Sequence, residues 1–121
     1  AWISSFETSI ADNIFQSPGL YVNIFGEVIA YSWEDLTDGS INIPINIDEI
    51  GIKIEGNVWT GTNIFGSWEL ADNCDNWSID NSRIFGEYGF SNTINSDWTD
   101  QGFAPCNNSF HIYCIENEFI P

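Results

Sequence analysis

The sequence contains very little positive charge. Two basic side chains, Lys53 and Arg83, and a single histidine stand against 18 acidic side chains, so the formal net charge is −16. A chain with this charge does not neutralise phosphates or sulfates, so nucleic acid, heparin-like sugars and anionic lipid are all poor partners. The simplest interpretation is an acidic surface that keeps the protein soluble, and the alternative is a dedicated cation-binding surface.

Targeting and membrane signals are also lacking. No apolar run reaches 18 residues, so membrane insertion is not predicted. The chain does not open on a signal-peptide pattern. It begins with Ala1-Trp2-Ile3-Ser4, which is typical of the interior of a domain, so we expect a mature or truncated product.

Catalytic and zinc-binding motifs are missing too. There is no nucleophile elbow, phosphate-binding loop or histidine-based dyad, and His111 has no cysteine or serine partner implied by spacing. Eighteen acids make chance carboxylate pairs inevitable, so glycosidase-like chemistry has little support. No Cys-x-x-Cys occurs, and one histidine with three cysteines does not make a structural zinc site at a sensible spacing. We therefore predict that the protein is not an enzyme.

What the chain does have is enough apolar residues for one packed domain. It is 121 residues long, 43% hydrophobic and 16% aromatic. Its three cysteines indicate an oxidising compartment and leave one thiol over. The separation of Cys74 and Cys106 suits a bridge, which would stabilise the fold by roughly 3–4 kcal/mol. If 106–114 is one strand, its two cysteines, Phe110 and Ile112 all face the core.

Local patterns predict short elements separated by turns. Ser32 is expected to cap a helical turn, and Pro44 confines the alternating isoleucines of 41–47 to a sheet edge or an extended loop. Ile-Phe-Gly occurs three times at unequal intervals, which indicates turns with an apolar anchor and not a repeat architecture. The predicted elements are a strand at 1–5, a weak helical pattern at 7–15, a hairpin at 21–30, a helical turn at 32–36, extended segments at 41–47 and 52–54, a strand at 57–62, a long ordered loop at 63–105 and a final strand at 111–115.

Four motifs in register carry a resemblance to a known family. They are Ser32-Trp33-Glu34-Asp35-Leu36, Val58-Trp59-Thr60-Gly61, Cys74-Asp75-Asn76-Trp77, and Cys114-Ile115-Glu116-Asn117 followed by Phe119. Together they resemble the endostatin domain, the C-terminal module of collagens XV and XVIII, which has a C-type lectin-like fold. The Leu-Thr-Asp-Gly-Ser of 36–40 and the Trp-Thr-Gly-Thr of 59–62 resemble more closely a bacterial family of secreted or lipid-anchored surface domains of unknown function.

The resemblance implies an α+β fold with short mixed strands and long ordered loops, in a single domain spanning 1–121 that lacks the family's N-terminal strand and helix. It implies a disulfide between Cys74 and Cys106, with Cys114 unpaired or bonded to another segment or chain. A hydrophobic groove is expected where the missing helix would lie, filled by another segment or chain. The zinc ligands and basic face of endostatin have no counterparts here.

Two sets of residues are candidates for ligand contacts. Sugar-binding C-type lectins carry Glu-Pro-Asn or Gln-Pro-Asp and then Trp-Asn-Asp, and none of these occurs. Trp68 and Trp98 lie in less constrained loops, where exposed rings would stack on a ligand, although anchoring of the loops is the commoner role. Five aspartates are weak calcium candidates, with turn formation as the alternative: Asp72, Asp75, Asp80, Asp97 and Asp100.

The sequence thus predicts an extracellular or cell-surface module without enzymatic activity. As an adhesion module it would hold a protein or glycan through 63–104. As a structural protein it would be a subunit of a homo-oligomer or filament, docked through the groove. The alternatives are a calcium-dependent carbohydrate-binding lectin and, ranked last, a secreted hydrolase. No cofactor is expected, with calcium the one considered.

Overall fold

The computed structural model describes residues 1–69 and 73–116, which form a small, mostly β domain. Helices account for 13% and strands for 22%, in two short helices and two antiparallel sheets. The predicted α+β fold of the endostatin or C-type lectin-like kind is therefore wrong. The helices are single turns that form no layer against a sheet, and the sheets are antiparallel where mixed strands were expected.

The first sheet is the predicted hairpin. Strand β1 (Tyr21–Val22) pairs antiparallel with β2 (Val28–Ala30). The turn between them is held by Asn23, whose Oδ1 accepts hydrogen bonds from the backbone N–H groups of Phe25 and Glu27. Helix α1 (Trp33–Leu36) follows, and Ser32 caps it by accepting from the N–H of Asp35, as predicted.

The second sheet is the centre of the fold. It has the order β3-β4-β5, with β3 at Asn57–Trp59, β4 at Phe85–Phe90 and β5 at Gly102–Pro105. Two of its strands lie inside 63–105, so the prediction of one long loop there was wrong. Gly86 and Gly89 weaken the strand pattern of β4. They are needed because neighbouring segments pack against the bare backbone.

Three further helical turns lie in the loops. Two are 3₁₀ turns, at Ile10–Asp12 within the weak helical pattern and at Ser96–Trp98. The third is helix α2 (Asn73–Trp77), which is left-handed: its five residues have φ between 42° and 66°. None of the five is glycine, and this conformation costs about 1–2 kcal/mol per residue. Tertiary contacts must therefore hold α2 in place.

The core is built around two tryptophans that are completely buried. Trp2 and Trp98 have 0% exposure, and their ring centroids lie 5.0 Å apart. The opening segment is buried as expected but adds no strand: Trp2 N–H donates to Tyr113 O, and Ser4 N–H donates to Thr60 O. The core residues are Trp2, Ile10, Ile29, Ala30, Leu36, Ile41, Val58, Trp98 and Tyr113.

The last segment differs from its prediction. Cys106 begins a turn, and beyond it the segment pairs only through one parallel bridge between His111 and Val58, so no strand spans 106–114 or 111–115. Tyr113 is the buried residue, while Ile112 is 52% exposed and Cys114 is exposed. The turn shifts the alternation of inward and outward side chains by one residue. Tyr113 therefore faces the core, where Ile112 and Cys114 were expected.

The isoleucine alternation produces a buried face without a strand. Ile41 is buried, and Ile43 and Ile45 pack partly buried against the core. Backbone pairing in this region is limited to a bridge between Ile47 and Lys53. Among the described residues, no helix has the length and apolar character needed to cross a membrane.

Candidate functional site

Two adjoining clefts lie beside Cys114, and together we call them the Cys114 groove. Their volumes are about 740 Å³ and 460 Å³. They adjoin because five residues line both of them: Val22, Ile29, Ile45, Cys114 and Glu116. The groove runs between the hairpin, the isoleucine segment and the last segment of the described chain.

The wall of the Cys114 groove is apolar and partly open to solvent. Leu20 is 56% exposed, Val22 is 48% exposed and Ile24 is 56% exposed. Ile112, on the opposite segment, is 52% exposed. Contiguous apolar surface of this kind on a small domain marks an interaction site.

Acidic side chains also belong to the lining of the groove. Asp48, Glu49 and Glu116 line the groove, together with the imidazole of His111. Within the described chain, neither Lys53 nor Arg83 belongs to the lining. The groove therefore combines an apolar wall with these three acidic side chains, which we call its acidic rim. This combination favours apolar ligands that carry positive charge.

The cysteines are arranged as the resemblance implied. Cys74 and Cys106 form a disulfide with an S–S distance of 2.04 Å, which joins α2 to the end of β5. Cys114 is free and exposed in the groove. An intrachain disulfide is compatible with an oxidising, extracellular location.

A second constellation lies at the central sheet and consists of three carboxylates. Glu69, Glu87 and Asp100 each place one oxygen within 4.8 Å of the others. We call them the carboxylate cluster. Glu87 is on β4, Glu69 follows Trp68, and Asp100 follows the 3₁₀ turn of Ser96–Trp98. Glu87 is buried, whereas the other two are half-buried.

The backbone of Glu87 is held firmly on both sides. Its N–H donates to Asn73 Oδ1 at 3.0 Å, and its carbonyl accepts from the N–H groups of Thr60 and Gly61. The side chain of Glu87, in contrast, is not held. Glu87 is 0% exposed, and neither carboxylate oxygen has a hydrogen-bond partner among the described residues. The backbone thus fixes a buried carboxylate that the surrounding protein does not satisfy.

Burial and like charge act together on the cluster. Burial, with the neighbouring Asp100 and then Glu69, raises the pKa of Glu87 to about 10. Burial and the charge of Asp100 also raise the pKa of Glu69, an effect that a hydrogen bond from the Asn63 side chain partly offsets. Both shifts favour the protonated, neutral form of these two carboxyl groups, because burial and like charge raise their pKa values.

The buried hydroxyls nearby are satisfied, in contrast to Glu87. Thr62 Oγ1 donates to Thr60 O at 2.6 Å, and Thr99 Oγ1 donates to Thr62 O at 2.9 Å. Trp2 Nε1 donates to Thr99 Oγ1 at 2.8 Å. These hydroxyls are thus satisfied within the chain, whereas the two oxygens of the Glu87 carboxylate are not.

The aspartates predicted as calcium ligands lie in different parts of the structure. Of the five aspartates, Asp100 joins the carboxylate cluster, and Asp72 lies outside the described residues. Asp75 and Asp80 are exposed and Asp97 is half-buried, and none of these three belongs to the cluster.

The two tryptophans also differ from what was expected. Trp68 is half-buried against Phe6, with ring centroids 5.3 Å apart. Trp98 is completely buried against Trp2 and Tyr113, so it anchors its loop, which was the commoner role considered for it, and its ring is not exposed to a ligand. Its position in a loop was misleading because that loop folds across the central sheet.

Sequence reasoning missed Glu69 and Glu87. For Glu69 we find no local signal. For Glu87 there was one: it is the only charged residue in Ile84-Phe85-Gly86-Glu87-Tyr88-Gly89-Phe90, a run that is otherwise apolar. A charged residue within such a run indicates either a strand at the surface or a buried charged side chain with a functional role.

Comparison with known proteins does not add a family to these features. No family model matches the chain, and no curated protein matches it either. The fold and the two sites therefore define the class of protein by themselves: a small, strongly acidic, disulfide-linked β domain with an apolar groove and a buried carboxylate cluster.

Proposed function

We propose that this chain is an extracellular, non-enzymatic assembly module. In this proposal the Cys114 groove receives an apolar segment of another polypeptide that carries lysine or arginine at its ends. The groove is the observation that carries the proposal, since its exposed apolar wall has an acidic rim. The disulfide supports an extracellular location, as does the resemblance of two sequence motifs to those of bacterial surface domains.

The partner should be a different polypeptide and not a second copy. Two copies would bring together chains that each carry −16 and would place two acidic rims side by side. Juxtaposed like charges oppose association, whereas complementary charges accelerate it and select the partner. The homo-oligomer that the sequence left open is therefore disfavoured by the same charge that favours a basic partner.

A peptide probe tests the docking proposal. A fluorescent peptide with a leucine- and isoleucine-rich centre and lysines at both ends should bind the full chain and slow alkylation of Cys114. The same peptide with glutamates in place of the lysines should bind more weakly, because the rim is acidic. Fluorescence polarisation and the rate of iodoacetamide labelling measure both effects.

Two isoleucines of equal exposure supply the variant and its control. Ile112→Ser should weaken binding of the lysine peptide about tenfold, since Ile112 lines the groove. Ile52→Ser should leave it unchanged, because Ile52 is 53% exposed against 52% for Ile112 but does not line the groove. Equal binding of both variants, or of both peptides, would contradict the proposal.

A further inference from the structure

We propose that Glu69, Glu87 and Asp100 bind one calcium ion inside the domain. This inference is independent of the docking proposal, because the cluster lies at the central sheet and none of its residues lines the Cys114 groove. It rests on the two oxygens of Glu87, which are fully buried and have no partner among the described residues.

A buried, ionised carboxylate without a partner is unfavourable, because the group loses its hydration and gains no interaction in exchange. The protein does not supply the compensating charge: within the described chain, the one ion pair joins Lys53 to Glu55. Two other buried atoms lack partners, Asn73 Nδ2 and Trp98 Nε1, but both are donors and do not bind a cation. Glu87 must therefore be neutralised by a proton or by a bound cation, and the oxygens of Glu69 and Asp100 beside it supply the further ligands that a cation needs.

The geometry fits a single ion. Two oxygens on opposite sides of a calcium ion, each about 2.3–2.6 Å from it, are separated by roughly 4.6–5.2 Å. Oxygens that all lie within 4.8 Å of one another can therefore share one ion. Glu69 and Asp100 are half-buried, which leaves a route for the ion and room for water to complete the coordination.

The donor set selects among metals. All three groups are carboxylates, which bind hard cations, whereas structural zinc sites use cysteine and histidine. Magnesium requires near-ideal octahedral geometry and keeps most of its water, which suits a cluster with a buried anchoring carboxylate less well. Calcium accepts six to eight oxygens in flexible geometry and is therefore the ion that we assign.

Binding would join three segments of the chain. It would connect the segment after Trp68, the middle of β4 and the loop before β5, close to Asn73, which fixes the Glu87 backbone. An ion that binds the folded state alone raises stability by mass action. At about 100 times its dissociation constant, calcium should raise the melting temperature of the full chain by about 10 °C.

The experiment is thermal unfolding of the chelator-treated full chain, titrated with calcium chloride at constant ionic strength. We expect a rise in melting temperature for the unmodified chain and one tight site by isothermal titration calorimetry. Magnesium at equal concentration should produce a smaller rise. No rise with calcium, or an equal rise with magnesium, would overturn the assignment.

Matched variants separate the cluster from the acidic surface. Asp100→Asn should abolish the calcium-dependent rise, whereas Asp97→Asn should keep it, because Asp97 is also half-buried in the same loop but outside the cluster. Glu87→Gln should be about as stable as the unmodified chain in chelator, since glutamine is uncharged and has nearly the same size, and it should not respond to calcium. A calcium response that survives in Asp100→Asn would mean diffuse binding to the acidic surface and would refute the site.

Discussion

At the scale of single residues, Gly89 shows how closely the loops approach the central sheet. A Cβ at this position would lie 2.2 Å from the carbonyl oxygen of Trp98. Backbone atoms cannot rotate away as a side chain can, so the segment carrying Trp98 would have to move. That segment also carries Thr99 and Asp100, which connect the core to the carboxylate cluster.

Gly89→Ala should therefore lower the free energy of unfolding by about 3 kcal/mol or more, as overpacking against backbone does. Gly102→Ala is the matched control, because the nearest atom to its Cβ is Tyr88 Cε1 at 3.9 Å. We expect the control to change stability by less than about 1 kcal/mol. Urea unfolding monitored by tryptophan fluorescence measures both, and equal effects would show that the contact is not tight.

The buried polar side chains are of two kinds. Thr60 and Thr62 form hydrogen bonds within the chain, so their burial adds little cost. Glu87 has no such bonds, and its pKa is raised to about 10 by burial and by its acidic neighbours. The two unsatisfied oxygens of this buried acidic side chain are the strongest single pointer to a ligand among the described residues.

At the scale of elements, the same four residues give the same turn twice. Asn-Ile-Phe-Gly occurs at 23–26 and at 63–66, and in both places the asparagine Oδ1 accepts from the N–H groups two and four residues later. The glycines have φ of 79° and 81°. Turn formation is thus confirmed, but Phe25 and Phe65 are 62% and 63% exposed, so neither is an apolar anchor.

The third Ile-Phe-Gly behaves differently. Arg83 stands where the other two have asparagine, so there is no side-chain acceptor to close the turn. Phe85 and Gly86 instead begin β4. The asparagine at the start of the motif thus accompanies the closed turn, and the copy that lacks it forms a strand.

Helix α2 depends on the disulfide more than any other element. Its left-handed backbone is unfavourable for residues with a side chain, and Cys74 within it is bonded to Cys106. Replacing both cysteines with serine should lower the free energy of unfolding by about 3–4 kcal/mol. It should also free α2, and with it Asn73, which hydrogen-bonds the Glu87 backbone.

Chemical denaturation of the double variant measures this effect. Cys114→Ser is the control, because Cys114 is exposed and unbonded, and its replacement should change stability by less than about 0.5 kcal/mol. A double variant as stable as the control would show that packing alone holds α2.

At the scale of the whole molecule, charge governs association. A net charge of −16 on a chain of this size produces long-range repulsion between copies, which is strongest at low ionic strength. The exposed apolar wall of the Cys114 groove favours association, but each copy that approaches it brings the same negative charge.

We therefore expect a monomer at low ionic strength, with one cysteine available for alkylation under non-reducing conditions. Native mass spectrometry with and without iodoacetamide measures both quantities. A stable dimer in low salt, or the absence of a reactive thiol, would contradict the choice of a basic, different partner and would favour self-assembly.

The sequence by itself determined the features that depend on near neighbours. The hairpin, the Ser32 cap of α1 and the asparagine turns were predictable because their hydrogen bonds join residues within about four positions of one another or across one short turn. The free thiol followed from three cysteines, and the pairing of Cys74 with Cys106 followed from the resemblance.

The tertiary structure alone decided the features that join distant segments. It placed Glu69, Glu87 and Asp100 together, and it placed Tyr113 in the core with Ile112 outside. It also made a central strand of a glycine-rich segment. The physical reason is that these positions depend on how separate segments pack around Trp2 and Trp98, and no local pattern of residue types records that packing.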